Sequence, residues 1–213
     1  MKCYIFDMDG TITRTNLLIF DTFNYIARKY AGRTYTGEEL IKMFGPPEEG
    51  ALLNIVGPEQ IDIAMKDYLV FYQQNHKKLA DAYEGMEHIL KYLKSKGKLV
   101  TLFTGKGTST TSITLRELNF EKYFDYIVTG NDVVNHKPSA EGILKIVDKY
   151  SLTKDEAIMI GDSLHDVKAA RQAGIKIAAA LWDSFSKEKV LQMNPDFIFF
   201  TINEFEKWIR ETE

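Results

Sequence analysis

Asp7 and Asp9 stand one residue apart in Tyr4-Ile5-Phe6-Asp7-Met8-Asp9-Gly10-Thr11, where an apolar run ends in two carboxylates. Carboxylates that converge at a strand end repel each other and need a cation, a shared proton or a basic neighbour. An oxygen-rich pair of this kind suits Mg²⁺. Three later stretches carry chemistry that fits the same place: Thr104-Gly105-Lys106-Gly107, Lys137-Pro138, and Gly161-Asp162-Ser163-Leu164-His165-Asp166. Between them they supply further carboxylates at Asp162 and Asp166, a hydroxyl with backbone amides beside it, and a lysine. With a divalent cation and Lys137 offsetting the negative charge, such a set leaves room for a phosphate dianion. Each stretch alone also reads as an ordinary strand-end turn, helix cap or solvated lysine. Their succession in one order is what points to a site.

The elements that must bring these residues together follow from the hydrophobic pattern. Cys3 to Phe6 reads as a short buried strand, whose alternation sends Asp7 and Asp9 to one side with Met8 opposite; Gly10 lets the chain turn away. From Gly85 onward helices and strands alternate. Helices are expected over 86–95, 108–118, 140–149, 166–173 and 203–209, and strands over 98–103, 126–129, 157–160, 176–181 and 197–200. That alternation implies a parallel sheet covered on both faces, with ligands outside the C-terminal strand ends. Each chemistry-bearing stretch lies just after one of these strands. Asp162 and Asp166, four residues apart, would set like charges together within a helix at a cost of about 0.2–0.5 kcal/mol. This favours a cation, or a loop that aims both inward.

Residues 15–83 have a different character. Leu17, Phe20, Phe23, Ile26, Ala27 and Tyr30 recur at helical spacing, with Thr15 or Asn16 as the cap. Thr36 and Glu39 have capping-box spacing. Helices are expected over 51–56 and 61–79, and no strand. The aromatics of this segment are expected to form its own core. The domain reading is therefore an α/β core of residues 1–14 and 84–213, with an all-helical module of residues 15–83 inserted after the first strand through hinges near Arg14-Thr15 and Tyr83-Gly85.

Composition narrows the class. The 213 residues suit one large domain or a core with an inserted module. A net charge of −3 gives no case for nucleic-acid binding through a basic surface. A single cysteine, Cys3, excludes an internal disulfide and a thiolate metal cluster. No leader-like segment opens the chain and no apolar run is long enough to span a bilayer, so a cytoplasmic enzyme with no membrane partner is expected. His76, His88, His136 and His165 have no metal-ligand spacing among them.

The ordered motifs resemble those of the haloacid-dehalogenase-type hydrolases, in their phosphatase branch with a helical cap. The resemblance covers essentially the whole chain: Asp-x-Asp-Gly-Thr at 7–11, a strand ending in Thr104, Lys137 in His-Lys-Pro, and Gly-Asp-Ser-x-x-Asp at 161–166. It implies a Rossmann-like α/β core and a cap domain. It also implies a Mg²⁺-dependent hydrolysis of a small phosphorylated metabolite, a phosphate monoester, through an aspartyl phosphate. In that scheme Asp7 is the nucleophile and Asp9 the acid–base group. Thr104, Gly105, Lys106 and Lys137 belong to the phosphate-binding set. The metal is held by Asp7, Asp9 through its backbone carbonyl, Asp162, and Asp166 directly or through water. The dehalogenase members lack a carboxylate at the position of Asp9, so its presence favours phosphoryl transfer. The nearest likeness is to phosphoglycolate-phosphatase-like, pyrophosphatase-like and beta-phosphoglucomutase-like members, as a monomer or weak homodimer.

The sequence departs from many relatives at Ile12 to Asn16, at Gly105 where asparagine is common, and at Ser139-Ala140-Glu141, which weakens an assignment to phosphoglycolate. The loop Phe44 to Gly50 is the candidate for substrate choice. Glu48 and Glu49 are candidates for facing the site, where an acidic loop would disfavour pyrophosphate, and Arg14 is a candidate for meeting a second anionic group. A sugar phosphomutase would use the same motifs. A phospho-accepting receiver domain shares the residue types, but its phosphorylated aspartate follows a later strand and it carries no inserted cap.

Overall fold

A computed structural model describes every residue except Phe44. In chain order the elements are β1 (Cys3–Phe6), β2 (Thr13–Arg14), α1 (Asn16–Ala31), α2 (Gly37–Ile41), α3 (Glu48–Val56), α4 (Ile61–Leu79) and β3 (Asp81–Ala82). They continue with α5 (Met86–Ser95), β4 (Leu99–Phe103), α6 (Thr108–Glu117), β5 (Tyr126–Val128), α7 (Glu141–Lys149), β6 (Ala157–Gly161) and α8 (Leu164–Ala173). β7 (Lys176–Ala180), α9 (Lys187–Gln192), β8 (Phe197–Phe199) and α10 (Ile202–Thr212) complete the chain.

Six strands form one parallel sheet in the order β5-β4-β1-β6-β7-β8. β1 is buried along its whole length, and its alternation feeds two separate cores. Tyr4 and Phe6 pack with Met86, Leu90, Phe205 and Ile209 from α5 and α10. Cys3 and Ile5 pack with Ile143, Ile146, Val167 and Ala170 from α7 and α8 on the other face. Phe6 is in register with Leu102 on one side and Ile160 on the other. The residues that follow these three strands therefore emerge side by side at one sheet edge.

The helices between β2 and β3 have a core of their own, built from Leu18, Phe23, Ile26, Leu52, Tyr68 and Tyr72, and Ile113 of α6 contributes to it. Phe23 meets Tyr68 edge-on at 5.2 Å between ring centres. This is the all-helical composition expected for the segment, with one correction. β3 lies within it and pairs antiparallel with β2, Thr13 opposite Ala82 and Arg14 opposite Asp81. A two-residue strand carries no readable period, so the sequence pattern misses it.

Helix ends differ from expectation where local capping decides. α3 begins at Glu48 rather than Ala51, directly after Pro47, with Glu48 and Glu49 in the first turn where acidic side chains favour the helix dipole. α8 begins at Leu164 rather than Asp166 because Ser163 caps it: Asp166 N–H donates to Ser163 Oγ and Ser163 N–H donates to Asp166 Oδ2 at 3.0 Å. The expected capping box of Thr36 and Glu39 is present. The short helix α9 has no counterpart in the sequence reading.

Candidate active site

The loops after β1, β4, β5 and β6 meet at the C-terminal edge of the sheet. Asp7 follows β1, the central strand of the ladder formed with β4 and β6, and its N–H donates to Ile160 O at 2.8 Å. Asp7, Asp162 and Asp166 each place a carboxylate oxygen within 4.8 Å of the other two. Lys137 reaches this trio and donates to Asp7 Oδ1 at 2.8 Å and to Asp166 Oδ1 at 2.6 Å. Asp166 is fully buried, and Lys137 is nearly so. Backbone space sets the fit. A Cβ on Gly10 would lie 2.7 Å from Asp162 Oδ2, and one on Gly161 would lie 2.4 Å from Asp166 Cγ. Gly10 also takes φ +81°, which other residues rarely adopt.

The electrostatics carry excess negative charge. Burial pushes the Asp7 carboxyl up to about 7, with Asp166 and Asp9 adding and Lys137 opposing. Burial, then Asp7 and Asp166, raise Asp162 well above the carboxylate range. Burial works against the Lys137 ammonium, but Asp166 and Asp7 overcome it and hold the group above the usual lysine range. One ammonium among three clustered carboxylates leaves a deficit that a cation would fill. The donors are all oxygens in a compact trio, the set that suits Mg²⁺.

Asp9 faces a different environment. Thr15 Oγ1 donates to its Oδ1, and Lys106 Nζ lies 3.4 Å from its Oδ2. Asp7 and Asp9 therefore diverge, one into the carboxylate cluster and one toward the helical segment. Lys106 is buried. Burial opposes its charge, but Asp9, Tyr72 and Glu48 hold it above the usual lysine range. It also sits over the Tyr72 ring at 4.9 Å. Thr104 is buried, and its Oγ1 accepts from Lys106 N–H at 3.1 Å. Gly105 has no room for a side chain, since a Cβ there would lie 2.8 Å from Gly45 O.

The remaining candidates divide. Glu48 is buried against the core, whereas Glu49 is exposed. Phe44 lies outside the described residues. Arg14 is exposed and stacks over the Tyr83 ring at 5.3 Å. His136 and His165 are half-buried rather than on the open surface. His165 Cε1 would lie 3.9 Å from a Cβ on Gly45, which places it below the helical segment's loop.

Several participants escape the sequence reading. Thr15 reads as a helix cap, but its hydroxyl makes no capping bond and goes to Asp9. Glu141 accepts N–H bonds from Val134 at 2.9 Å and Asn135 at 2.8 Å and so tethers the loop that carries Lys137. Those two bonds hold its carboxyl down to about 2. Trp182 Nε1 donates to Thr11 O at 3.2 Å and braces the turn after Asp9. No spacing rule marks these residues, because each acts through a contact made only after the sheet has formed.

Known proteins bear on this arrangement. The family description "Haloacid dehalogenase-like hydrolase" matches residues 4–180, a span that runs from β1 through β7 and holds every residue of the carboxylate cluster. The chain belongs to this family. It is 31% identical over 194 residues to the pyrophosphatase PpaX of Bacillus pumilus, a match covering 91% of this chain and 89% of that protein. Its fold is similar to a predicted phosphoglycolate phosphatase from Haemophilus somnus, with TM-score 0.84 and 18% identity over 100% of this chain and 98% of that one. It is also similar to a haloacid dehalogenase-like family hydrolase from Streptococcus pneumoniae, with TM-score 0.79 and 24% identity over 98% of each chain. As a member of this family, the protein is an enzyme, a hydrolase of the phosphatase kind. Among the described residues, no helix is long and apolar enough to cross a membrane.

Proposed function

We propose that the protein is a Mg²⁺-dependent phosphatase that hydrolyses a small-molecule phosphate monoester through an aspartyl phosphate on Asp7. Residues 1–14 and 84–213 act as the catalytic core, and residues 15–83 act as the cap. The observation that carries this reading is the division of labour between the two N-terminal carboxylates. Asp7 lies in the trio with Asp162 and Asp166 under Lys137, and Asp9 lies apart beside Thr15 and Lys106.

A Mg²⁺ ion held by Asp7, Asp162 and Asp166 would supply charge that lets a carboxylate approach a phosphate dianion. Lys137 keeps Asp7 ionised and oriented. An Asp7 oxygen attacks phosphorus, and the bond from phosphorus to the ester oxygen breaks. Asp9 gives its proton to the departing oxygen, then takes one from the water that attacks the aspartyl phosphate. The acyl–phosphate bond breaks, phosphate leaves, and Asp7 returns as a carboxylate. Thr104, the Gly105 amide and Lys137 hold the phosphate oxygens. Lys106 acts on the leaving-group side, next to Asp9.

The test is a phosphate-release assay across a panel of phosphorylated metabolites, with Mg²⁺ and then with EDTA. Release that depends on Mg²⁺ is expected. Turnover unchanged by EDTA would remove the ion from the scheme. Isomer formation without net phosphate release would make the enzyme a mutase instead.

A further inference from the structure

Glu48 opens α3 in the helical segment, yet its carboxylate is seated in the α/β core. Its Oε2 accepts from Gly107 N–H at 2.9 Å. Its Oε1 accepts from the Thr110 hydroxyl at 2.6 Å and lies 3.7 Å from Lys106 Nζ. Gly107 is the residue that caps α6, and Thr110 is in its first turn. The unpaired N–H groups and dipole of a helix N-terminus, with a buried ammonium beside them, favour an anion. Here the anion is supplied by the chain itself. The fit is close: a Cβ on Gly107 would lie 2.6 Å from Glu48 Oε2, and one on Gly130 would lie 2.7 Å from Pro47.

The same Lys106 also pairs with Asp9. Among the described residues it is the one cation ion-paired with either Asp9 or Glu48, so two carboxylates share one ammonium on this side of the site. Lys137 is committed to Asp7 and Asp166, and Arg14 is exposed over Tyr83. The hydroxyl of Tyr68 is fully buried and has no hydrogen-bond partner among the described residues. It lies within the fields of Glu48 and Asp9. A buried hydroxyl left unpaired is costly.

We infer that Glu48 is a specificity residue: it fills the anion pocket made by Lys106, Gly107 and Thr110, and so restricts the leaving group to an uncharged alcohol such as that of a polyol or sugar phosphate. A leaving group with its own phosphate or carboxylate meets an anion pocket already filled and neutralised by Glu48. This separates the chain from what a pyrophosphatase would need, since the leaving group of pyrophosphate is itself an anion. Removing the Glu48 charge frees Lys106, the Gly107 amide and the Thr110 hydroxyl to receive that anion.

The inference rests on the phosphatase reading, and the experiment separates the two. Phosphate release is measured with Mg²⁺ for glycerol 2-phosphate, phosphoglycolate and pyrophosphate, using the wild type, Glu48→Gln and Glu48→Ala. The quantity compared is the ratio of kcat/KM values between substrates, which does not depend on the fraction of each variant that is folded. The wild type should favour glycerol 2-phosphate by about tenfold or more, and both variants should move the ratio toward the anionic substrates by about tenfold, chiefly through KM. A wild type that prefers pyrophosphate overturns the inference alone. So does a pair of variants that lose activity on all three substrates by one common factor, because Glu48 would then serve only to seat the helical segment. A wild type that releases phosphate from none of the three, nor from p-nitrophenyl phosphate, overturns the phosphatase reading and this inference with it.

Discussion

Lys137 Nζ lies 2.8 Å from Asp7 Oδ1, and it binds Asp166 through the same ammonium. The proposed nucleophile is thus aligned by a cation that is itself held from the far side. Replacing Asp7 by asparagine keeps the shape and a hydrogen-bond acceptor for Lys137 but removes the attacking charge. Asp7→Asn should lower kcat on p-nitrophenyl phosphate by roughly 10⁴-fold or more. Its far-ultraviolet circular dichroism should match the wild type. Turnover near the wild-type rate would remove Asp7 from the nucleophile's role.

Lys137→Met should damage the fold as well as the chemistry. The substitution leaves Asp7 and Asp166 buried without their shared cation. Breaking a buried pair on one side costs about 3–5 kcal/mol. Urea denaturation at neutral pH without metal should reveal a loss of that order. The deficit should shrink toward pH 5, as the stranded Asp7 carboxyl takes up a proton. A variant as stable as the wild type at pH 7 would mean that the carboxylates are not relying on Lys137.

The raised carboxyls give the metal-free protein a pH dependence of definite sign. The Asp7 carboxyl moves from an ordinary 3.8 to about 7 on folding, and Asp162 moves the same way. The folded state therefore binds more protons than the unfolded state between these values, and stability falls as pH rises through that window. A divalent cation replaces those protons. Mg²⁺ should raise Tm clearly at pH 8 and much less at pH 5, because ligand stabilisation follows affinity and affinity requires ionised carboxylates. Equal shifts at both pH values, read by differential scanning fluorimetry, would argue against the trio as the metal site.

Thr15→Val tests the link between Asp9 and the helical segment. The hydroxyl of Thr15 is its only route to Asp9 Oδ1, and valine keeps the volume and branching. The variant should lower kcat about tenfold with KM little changed, as for a general acid held less well in place. Its pH–rate profile should move as well, which a simple packing defect would not produce. An unaltered profile and rate would leave Thr15 as a helix end and nothing more.

The sequence discloses this molecule unevenly, for physical reasons. The core strands are legible because β1 and β6 are continuous apolar runs and β4 is one broken by Thr101 alone, each followed by polar residues of limited variety. The four motif loops are legible because topology forces strand ends together, so order along the chain becomes proximity in space. The Thr36–Glu39 and Ser163–Asp166 boxes differ in just this respect. Both have the same spacing, but Asp166 also belongs to the carboxylate cluster, and reading it only as a partner of Asp162 hides the cap. Thr15 and Tyr68 are harder still. Each has a sufficient local explanation, a helix start for one and a helical core for the other, and neither explanation mentions the hydroxyl. Glu48 is visible as an acidic residue in a suggestive loop. That it is buried on Gly107 and Thr110 depends on how the helical segment meets α6, which no window of sequence contains.

β1 is made before its partners, and it pairs Cys3 with Leu99 on one side and Ala157 on the other. Contacts this distant along the chain close late and slow the folding that depends on them. A growing chain therefore carries Asp7 on an apolar ribbon that lacks its second neighbouring strand until β6 has been made, and Lys137 and Asp166 arrive long after Asp7. During synthesis, the segment that bears the proposed nucleophile is thus also open to wrong association until its partners arrive. Completion of the carboxylate cluster and cover for the second edge of β1 both await the pairing of β6 beside β1.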